Sequence, residues 1–183
     1  MDIKRLADEL TQHDSQVALR TLFVHLYPKL LLFISHYVRS RQAAEEIVSD
    51  VFLSIWERRK QLQSVQNFKA YIYTVAKNLS VSYLRKEAGK STNVELSNIE
   101  YTIKVQSDPE TNLIESELMY DLNMAVESLP DRCRQAFRLV REHGMKYKEA
   151  AEVLEISEKT LEAHMTLAVK KIREKLHISN RKT

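Results

Sequence analysis

The sequence predicts an all-α protein of two small helical domains joined by a flexible linker, and three observations predict it. Only two Gly and three Pro interrupt 183 residues dominated by Leu, Ala, Glu, Lys and Arg, so helix breakers are scarce. Apolar residues recur at helical spacing from about residue 15 to 87 and again from about 113 to 176. Between them runs EAGKSTNVELSNIEYTIKVQSDPETN, which is rich in Ser, Thr and Asn, mostly acidic, and holds Gly89 and Pro109. Such a stretch reads as a linker without a packed core. The expected division is residues 1–90, a linker over 91–112, and residues 113–183. A ~60-residue domain buries only about 60% of its unfolded surface, so partners are expected to help order both blocks.

In the first block Asp14 is the expected cap of the opening helix, and Pro28 is expected to kink or divide it. The most apolar stretch, LYPKLLLFISHYV, is interrupted by Lys29 and His36 and reads as too short to span a bilayer. A second helix follows through AAEEIVSDVFLSIWERR, with Ile47, Val51, Phe52 (or Val48), Ile55 and Trp56 inward. A loop around RKQLQSVQ separates it from FKAYIYTVAKNLSVSYLRK, whose stripe is Phe68, Ile72, Val75, Leu79 and Leu84. No internal repeat or low-complexity tract is present.

In the second block, MKYKEAAEVLEIS places Tyr147, Ala150, Ala151 and Leu154 on one side of a short helix, with Ile156 in the break. The two alanines let another helix approach closely. That helix is SEKTLEAHMTLAVKKIREKL, with Leu161, Met165, Ala168, Ile172 and Leu176 as its apolar stripe and Ser157 at the N-cap position. Two helices joined this way form a helix-turn-helix, whose second helix enters the DNA major groove. The turn position that often holds Gly holds Glu155, which costs roughly 1 kcal/mol if its φ is positive. The polar face carries Lys159, Thr160, Glu162, His164, Thr166, Lys170 and Arg173. It is either a solvated surface or a surface that reads bases.

Charge favours the second reading. Residues 132–183 hold 13 Lys and Arg against 7 Asp and Glu, a net of +6, while residues 1–131 hold 15 against 18, a net of −3. A basic C-terminal part suits a phosphate backbone. The lone Cys133 excludes an internal disulfide framework and a Cys-based zinc finger, and it fits a reducing cytoplasm. The six His form no i, i+4 pair with an acidic partner, so no metal site is expected. MDIKRLADEL is charged throughout and is no secretory signal, which again points to a cytoplasmic protein. No paired carboxylates, nucleophile constellation or Gly-rich phosphate loop is found, so an enzyme, a cofactor and a small-molecule substrate are not expected.

Two families of residues are closely similar to known sequences. LPDRCRQAFRLVREHGMKYKEAAEVLEISEKTLEAHM, residues 129–165, resembles the second DNA-binding region of bacterial extracytoplasmic-function sigma factors. The matching positions are Leu129-Pro130-Asp131, Tyr147-Lys148-Glu149 with Ala151, and Ser157 with Thr160. AEEIVSDVFLSIW, residues 44–56, is similar to that family's polymerase-clamp helix, and NFKAYIYTVAKNLSVSYLRK to its promoter-melting helix. The resemblance implies an initiation subunit that binds core RNA polymerase at the β′ clamp and β flap, melts the −10 element and reads the −35 element. It also implies a membrane-anchored anti-sigma partner that wedges between the two domains.

The residue assignments follow from that resemblance and from side-chain chemistry. Glu46, Ser49 and Asp50, with Glu45 beside them and Trp56 further along, would face polymerase; the acidic strip suits a basic coiled coil, or is simply solvated. Lys69, Tyr71, Lys77, Asn78 and Arg85 would meet the −10 strand. There Tyr71, Tyr73 and Tyr83 interleave rings with cations, as single-stranded nucleic acid requires, although some tyrosines belong to a core reading. The segment from about Lys60 to Asn67 offers Gln61, Gln63, Ser64, Gln66 and Asn67 to a flipped base, or merely joins two helices. Lys148, Ser157, Lys159, Thr160, Glu162, Ala163, His164, Thr166, Lys170 and Arg173 would contact the −35 element. The sequence departs from the family's usual pattern at Ser49, Tyr71, Lys77, Glu162 and His164. Glu162 either accepts from a cytosine amino group or faces solvent. A self-sufficient dimeric helix-turn-helix regulator remains the main alternative, with a structural helical adaptor behind it.

Overall fold

The computed structural model describes residues 2–90 and 113–179. Among these residues every regular element is helical, as expected from the scarcity of breakers. Contacts divide the chain into two units, residues 1–101 and 102–183. The expected linker, residues 91–112, lies outside the described residues.

The N-terminal unit begins with a helix that the apolar periodicity did not announce, α1 (Ile3–His13). The Asp2 carboxylate caps it by accepting from the Lys4 and Arg5 N–H groups at 3.0 and 3.2 Å. Asp14 does not cap the next helix. It closes α1 in the left-handed conformation, with φ 51° and ψ 34°, a region that Asp tolerates better than most residues. Ser15 caps α2 (Gln16–Ser35) instead, accepting from the Ala18 N–H at 3.1 Å.

Pro28 does not divide α2, which runs as one 20-residue helix. Proline has no N–H for the Val24 carbonyl, but Val24 is 67% exposed and water can serve that oxygen. At 20 residues α2 is also long and apolar enough, by length and composition, to cross a membrane, which corrects the shorter reading. Its apolar side is instead used within the unit. Leu22, Leu26, Leu30 and Ile34 are fully buried, and α2 packs against α3 (Arg41–Arg58), α4 (Phe68–Lys90) and α1. Each such side chain contributes on the order of 1.5–3 kcal/mol of transfer free energy.

From α3 come Ile47, Val48, Val51, Phe52 and Ile55, all buried, whereas Trp56 is only half-buried. From α4 the core takes Phe68, Ile72, Tyr73, Ala76 and Ser80; the expected Val75, Leu79 and Leu84 lie half-exposed at its margin. Phe33 joins the helices, its ring 5.0 Å from that of Tyr73, and Phe23 lies 4.9 Å from Phe52. The segment expected as a loop is largely a tight 3-10 turn, Arg59–Ser64, anchored by buried Leu62.

In the C-terminal unit, α5 (Leu113–Glu127) and α6 (Asp131–Arg141) pack on α8 (Glu158–Ser179). Ala125, Val126, Leu129, Cys133, Ala168 and Ile172 form their shared core. Arg138 ties the first two helices through an ion pair with Glu127, and Arg134 donates to the Glu127 carbonyl at 2.7 Å. Burial draws the pKa of Arg138 down against the pull of Glu127 and Glu142, yet an Arg starts so high that its charge is retained. The short α7 (Tyr147–Leu154) packs on both α6 and α8.

Candidate nucleic-acid interface

The junction between α7 and α8 has the expected helix-turn-helix form. Ala150, Ala151 and Leu154 are buried, and the two alanines supply the close approach. Glu155 turns the chain with φ 56° and ψ 43°, the strained conformation that its position demands. The turn is closed by the Ile156 N–H donating to the Ala151 carbonyl at 3.1 Å. Ser157 then caps α8, its Oγ accepting from the Thr160 N–H at 3.0 Å and sharing a 2.7 Å hydrogen bond with the Thr160 hydroxyl. At the start of α7, Glu149 accepts from the Lys146 N–H at 2.9 Å. These bonds use up Ser157 locally and fix where the first turn of α8 points.

The outward side of α8 then presents Lys159, Thr160, Glu162, Ala163, Thr166, Lys170 and Arg173, all exposed, and Lys148 is exposed on α7. Among the assigned residues His164 behaves differently. It is half-buried, and its Nδ1 lies 3.7 Å from the Sγ of buried Cys133 on α6. Burial pushes the Cys133 thiol's pKa up, against the nearby Lys171, so the thiol stays neutral beside the ring. The Thr166 hydroxyl donates back to the Glu162 carbonyl at 2.9 Å, and Lys170 lies 3.9 Å from Glu174. Lys159 and Glu162 are exposed on the first turns of α8.

On α3, Glu46, Ser49 and Asp50 share one exposed face. Ser49 donates to the Glu45 carbonyl at 3.0 Å, and Glu45 is engaged by Arg41 at 2.9 Å. Sequence reasoning missed Leu53, which continues this face and is 54% exposed. Its spacing of seven from Glu46 and four from Ser49 was the available signal. Half-buried Trp56 is covered by Arg59, whose guanidinium sits 4.2 Å from the ring centroid and donates to the Trp56 carbonyl at 2.8 Å.

Along α4, Tyr71, Asn78 and Arg85 recur at sevens and so lie on one face, with Tyr71 half-buried and the other two exposed. Lys69 and Lys77 are half-buried, and Lys69, two positions before Tyr71, lies on the other side of the helix from that face. Tyr73 does not belong to the platform. It is 0% exposed against Phe33, and burial drives its hydroxyl's pKa far up. Half-buried Tyr83 remains at the margin. In the preceding segment Gln61 and Gln66 are exposed, but three of the proposed base readers are engaged internally, Ser64 by donating to the Gln61 carbonyl at 3.3 Å. Asn67 caps α4 by accepting from the Ala70 N–H at 3.2 Å, and the Gln63 amide donates to the Thr11 carbonyl at 3.3 Å.

Comparison with known proteins gives the family. Residues 22–90 match the sigma-70 region 2 family, and residues 120–172 match sigma-70 region 4. The chain is 26% identical over 154 residues to the ECF RNA polymerase sigma-E factor of Escherichia coli K12, covering 80% of each chain. The same identity and coverage relate it to the sigma-E factor of Salmonella typhimurium LT2. Two solved structures share the fold. CnrH, in complex with the cytosolic domain of CnrY, is 19% identical with a TM-score of 0.67, covering 97% of this chain and 99% of that one. The sigma factor RpoE, in complex with the anti-sigma factor NepR from Bartonella quintana, is 20% identical with a TM-score of 0.65, covering 87% and 96%. The stand-alone regulator gives way to this result: with regions 2 and 4 present in order, the chain belongs to the extracytoplasmic-function sigma factors, which direct RNA polymerase to promoters.

Proposed function

We propose that residues 1–90 grip core polymerase and open the −10 element, that residues 113–183 read the −35 element, and that residues 91–112 join the two. The observation that carries the assignment is the exposed, sparsely bonded polar face of α8 directly after a helix-turn-helix break. In this reading Lys159, Thr160, Glu162 and Ala163 meet base edges and Lys148, Lys170 and Arg173 meet phosphates. Ser157 and Thr166 act through the backbone bonds they make, and His164 flanks the reading face from the side of Cys133. The face of Glu46, Ser49, Asp50 and Leu53 meets a basic surface of the β′ clamp, with Trp56 at its end. An apolar centre among charges is the usual anatomy of a protein interface.

The −10 surface is Gln61 and Gln66 with Tyr71, Asn78 and Arg85, with Lys77 towards its edge and Lys69 at the start of the helix. Extruding a base costs a few kcal/mol, which a ring surface and polar edges must offset. The solved relative bound to the anti-sigma factor NepR supports an anti-sigma partner for this chain, and with polymerase as its partner the chain would act in the cytoplasm. No catalytic role is assigned to any residue.

Reconstituted transcription on two templates, one fully duplex and one with a pre-opened −10 bubble, tests the reading. Changing Asn78→Ala should impair initiation on both, because base capture is lost in either case. Changing Lys77→Ala should weaken it increasingly as salt rises. Unaltered open-complex yield and −10 preference in Asn78→Ala, Gln61→Ala and Gln66→Ala would refute the −10 assignment.

A further inference from the structure

The 3-10 turn Arg59–Ser64 is tied to the corner between α1 and α2 by three independent contacts. The Arg59 Nε donates to the Asp14 carboxylate, across 45 positions of sequence. Asp14 can reach it because its backbone sits at φ 51°, which turns the chain sharply at the end of α1. Gln63, at the other end of the turn, donates to the carbonyl of buried Thr11. Leu62 is buried between these ties, and α1 packs along the turn. Arg59 is also stacked on Trp56 and bonded to its carbonyl, so one guanidinium links the α1 corner, the end of α3 and the start of the turn.

We propose that this corner is a latch, with Asp14 the positioning residue that holds the segment 59–67 in one conformation for −10 base capture. The proposal rests on the −10 reading above. A 3-10 turn has poor hydrogen-bond geometry and is seldom stable in isolation, so it needs outside ties to keep a single shape. Without the latch, the segment orders only when DNA arrives, and that ordering entropy subtracts from capture. In this proposal Asp14 acts through Arg59, to which its carboxylate is bonded.

The test uses the full chain with core polymerase and two variants that keep the left-handed corner. Asp14→Gly removes the carboxylate where glycine adopts positive φ freely, and Asp14→Asn removes only the charge. Amide exchange at Val65, whose N–H donates to the Leu62 carbonyl at 3.0 Å, should quicken in both, more in the Gly variant. Open-complex yield on duplex promoter should fall by about threefold to fivefold, the range of a partly exposed ion pair, and selectivity between wild-type and base-changed −10 elements should narrow. Core affinity should not change, because the Arg59–Trp56 stack remains. Unaltered exchange at Val65 overturns the latch, as does an equal loss of core binding and opening. Gln61→Ala and Gln66→Ala report on the reading itself: if they shift −10 preference and the Asp14 variants do not, the latch alone fails, and if they do not shift it, the −10 assignment fails.

Discussion

Among the described residues of the C-terminal unit, two turn the chain with positive φ, and they make opposite predictions. Glu155 ends α7 at φ 56° with a β-carbon that this conformation crowds. Gly144, between α6 and α7, sits at φ 58° with open space where a β-carbon would stand. Glu155→Gly should therefore stabilise the unit by roughly 1 kcal/mol, relieving strain at the helix-turn-helix break. Gly144→Ala should cost about 1 kcal/mol from backbone strain alone, since no neighbour is struck. Denaturant midpoints at constant slope would check both, and a destabilised Glu155→Gly would show that the Glu side chain outweighs its strain. Glu155 was visible from the sequence as the position where glycine was due. The Asp14 corner was not, because an Asp before a Ser at a helix start reads equally well as an N-cap, and only the chain's path showed Ser15 in that role.

At the scale of elements, α4 shows how one helix divides between core and surface. Tyr73 looked like a stacking ring because Tyr71 and Tyr83 flank it in the sequence. Two positions from Tyr71 along a helix, however, is the opposite side. Its burial makes a pH prediction with a definite sign. The folded-state pKa of Tyr73 is raised above the unfolded value of about 10, so between the two values the unfolded chain has lost a proton that the folded chain keeps. Stability is then intact below about pH 10 and falls as pH rises above it. Tyr73→Phe should flatten the decline in unfolding free energy above about pH 10, and an unchanged slope would remove Tyr73 from the account. On α8 the expected split is between reading and holding. Lys159→Ala or Glu162→Ala should cost ~1–3 kcal/mol at one promoter position, whereas Lys170→Ala or Arg173→Ala should weaken all promoters alike and lower the salt slope by about one. Equal losses at every promoter for all four would leave only non-specific binding. This helix was legible because its stripe, cap and polar face all repeat at one period. By contrast α1 carries its stripe of Ile3, Leu6, Ala7 and Leu10 on only 11 residues, with charges at Lys4, Arg5, Asp8 and Glu9 between them. The turn at Arg59–Ser64 escaped for a related reason, as its order comes from contacts 45 and 52 positions away in sequence.

For the molecule as a whole, charge and connectivity argue for two duties carried on one chain. Residues 132–183 bear a net +6 and residues 1–90 a net +5, so both can be drawn to nucleic-acid phosphate, while the acidic face of α3 suits a basic protein. Residues 1–90 are themselves basic, with 14 Lys and Arg against 9 Asp and Glu, so the acidic excess lies in residues 91–131, where 1 stands against 9. If the two units act on different promoter elements in the same initiation complex, their contributions to promoter binding should add. Effects at sites that share no partner usually combine within ~0.3–0.5 kcal/mol. Asn78→Ala on α4 and Lys159→Ala on α8 provide the pair. The relative yield of open complexes from holoenzyme, measured for each variant and for the double variant at one fixed salt concentration, should give a double-variant loss equal to the product of the two single losses. A departure larger than about 1 kcal/mol would mean that the two residues report on a common step, and the division of labour between the units would have to be abandoned.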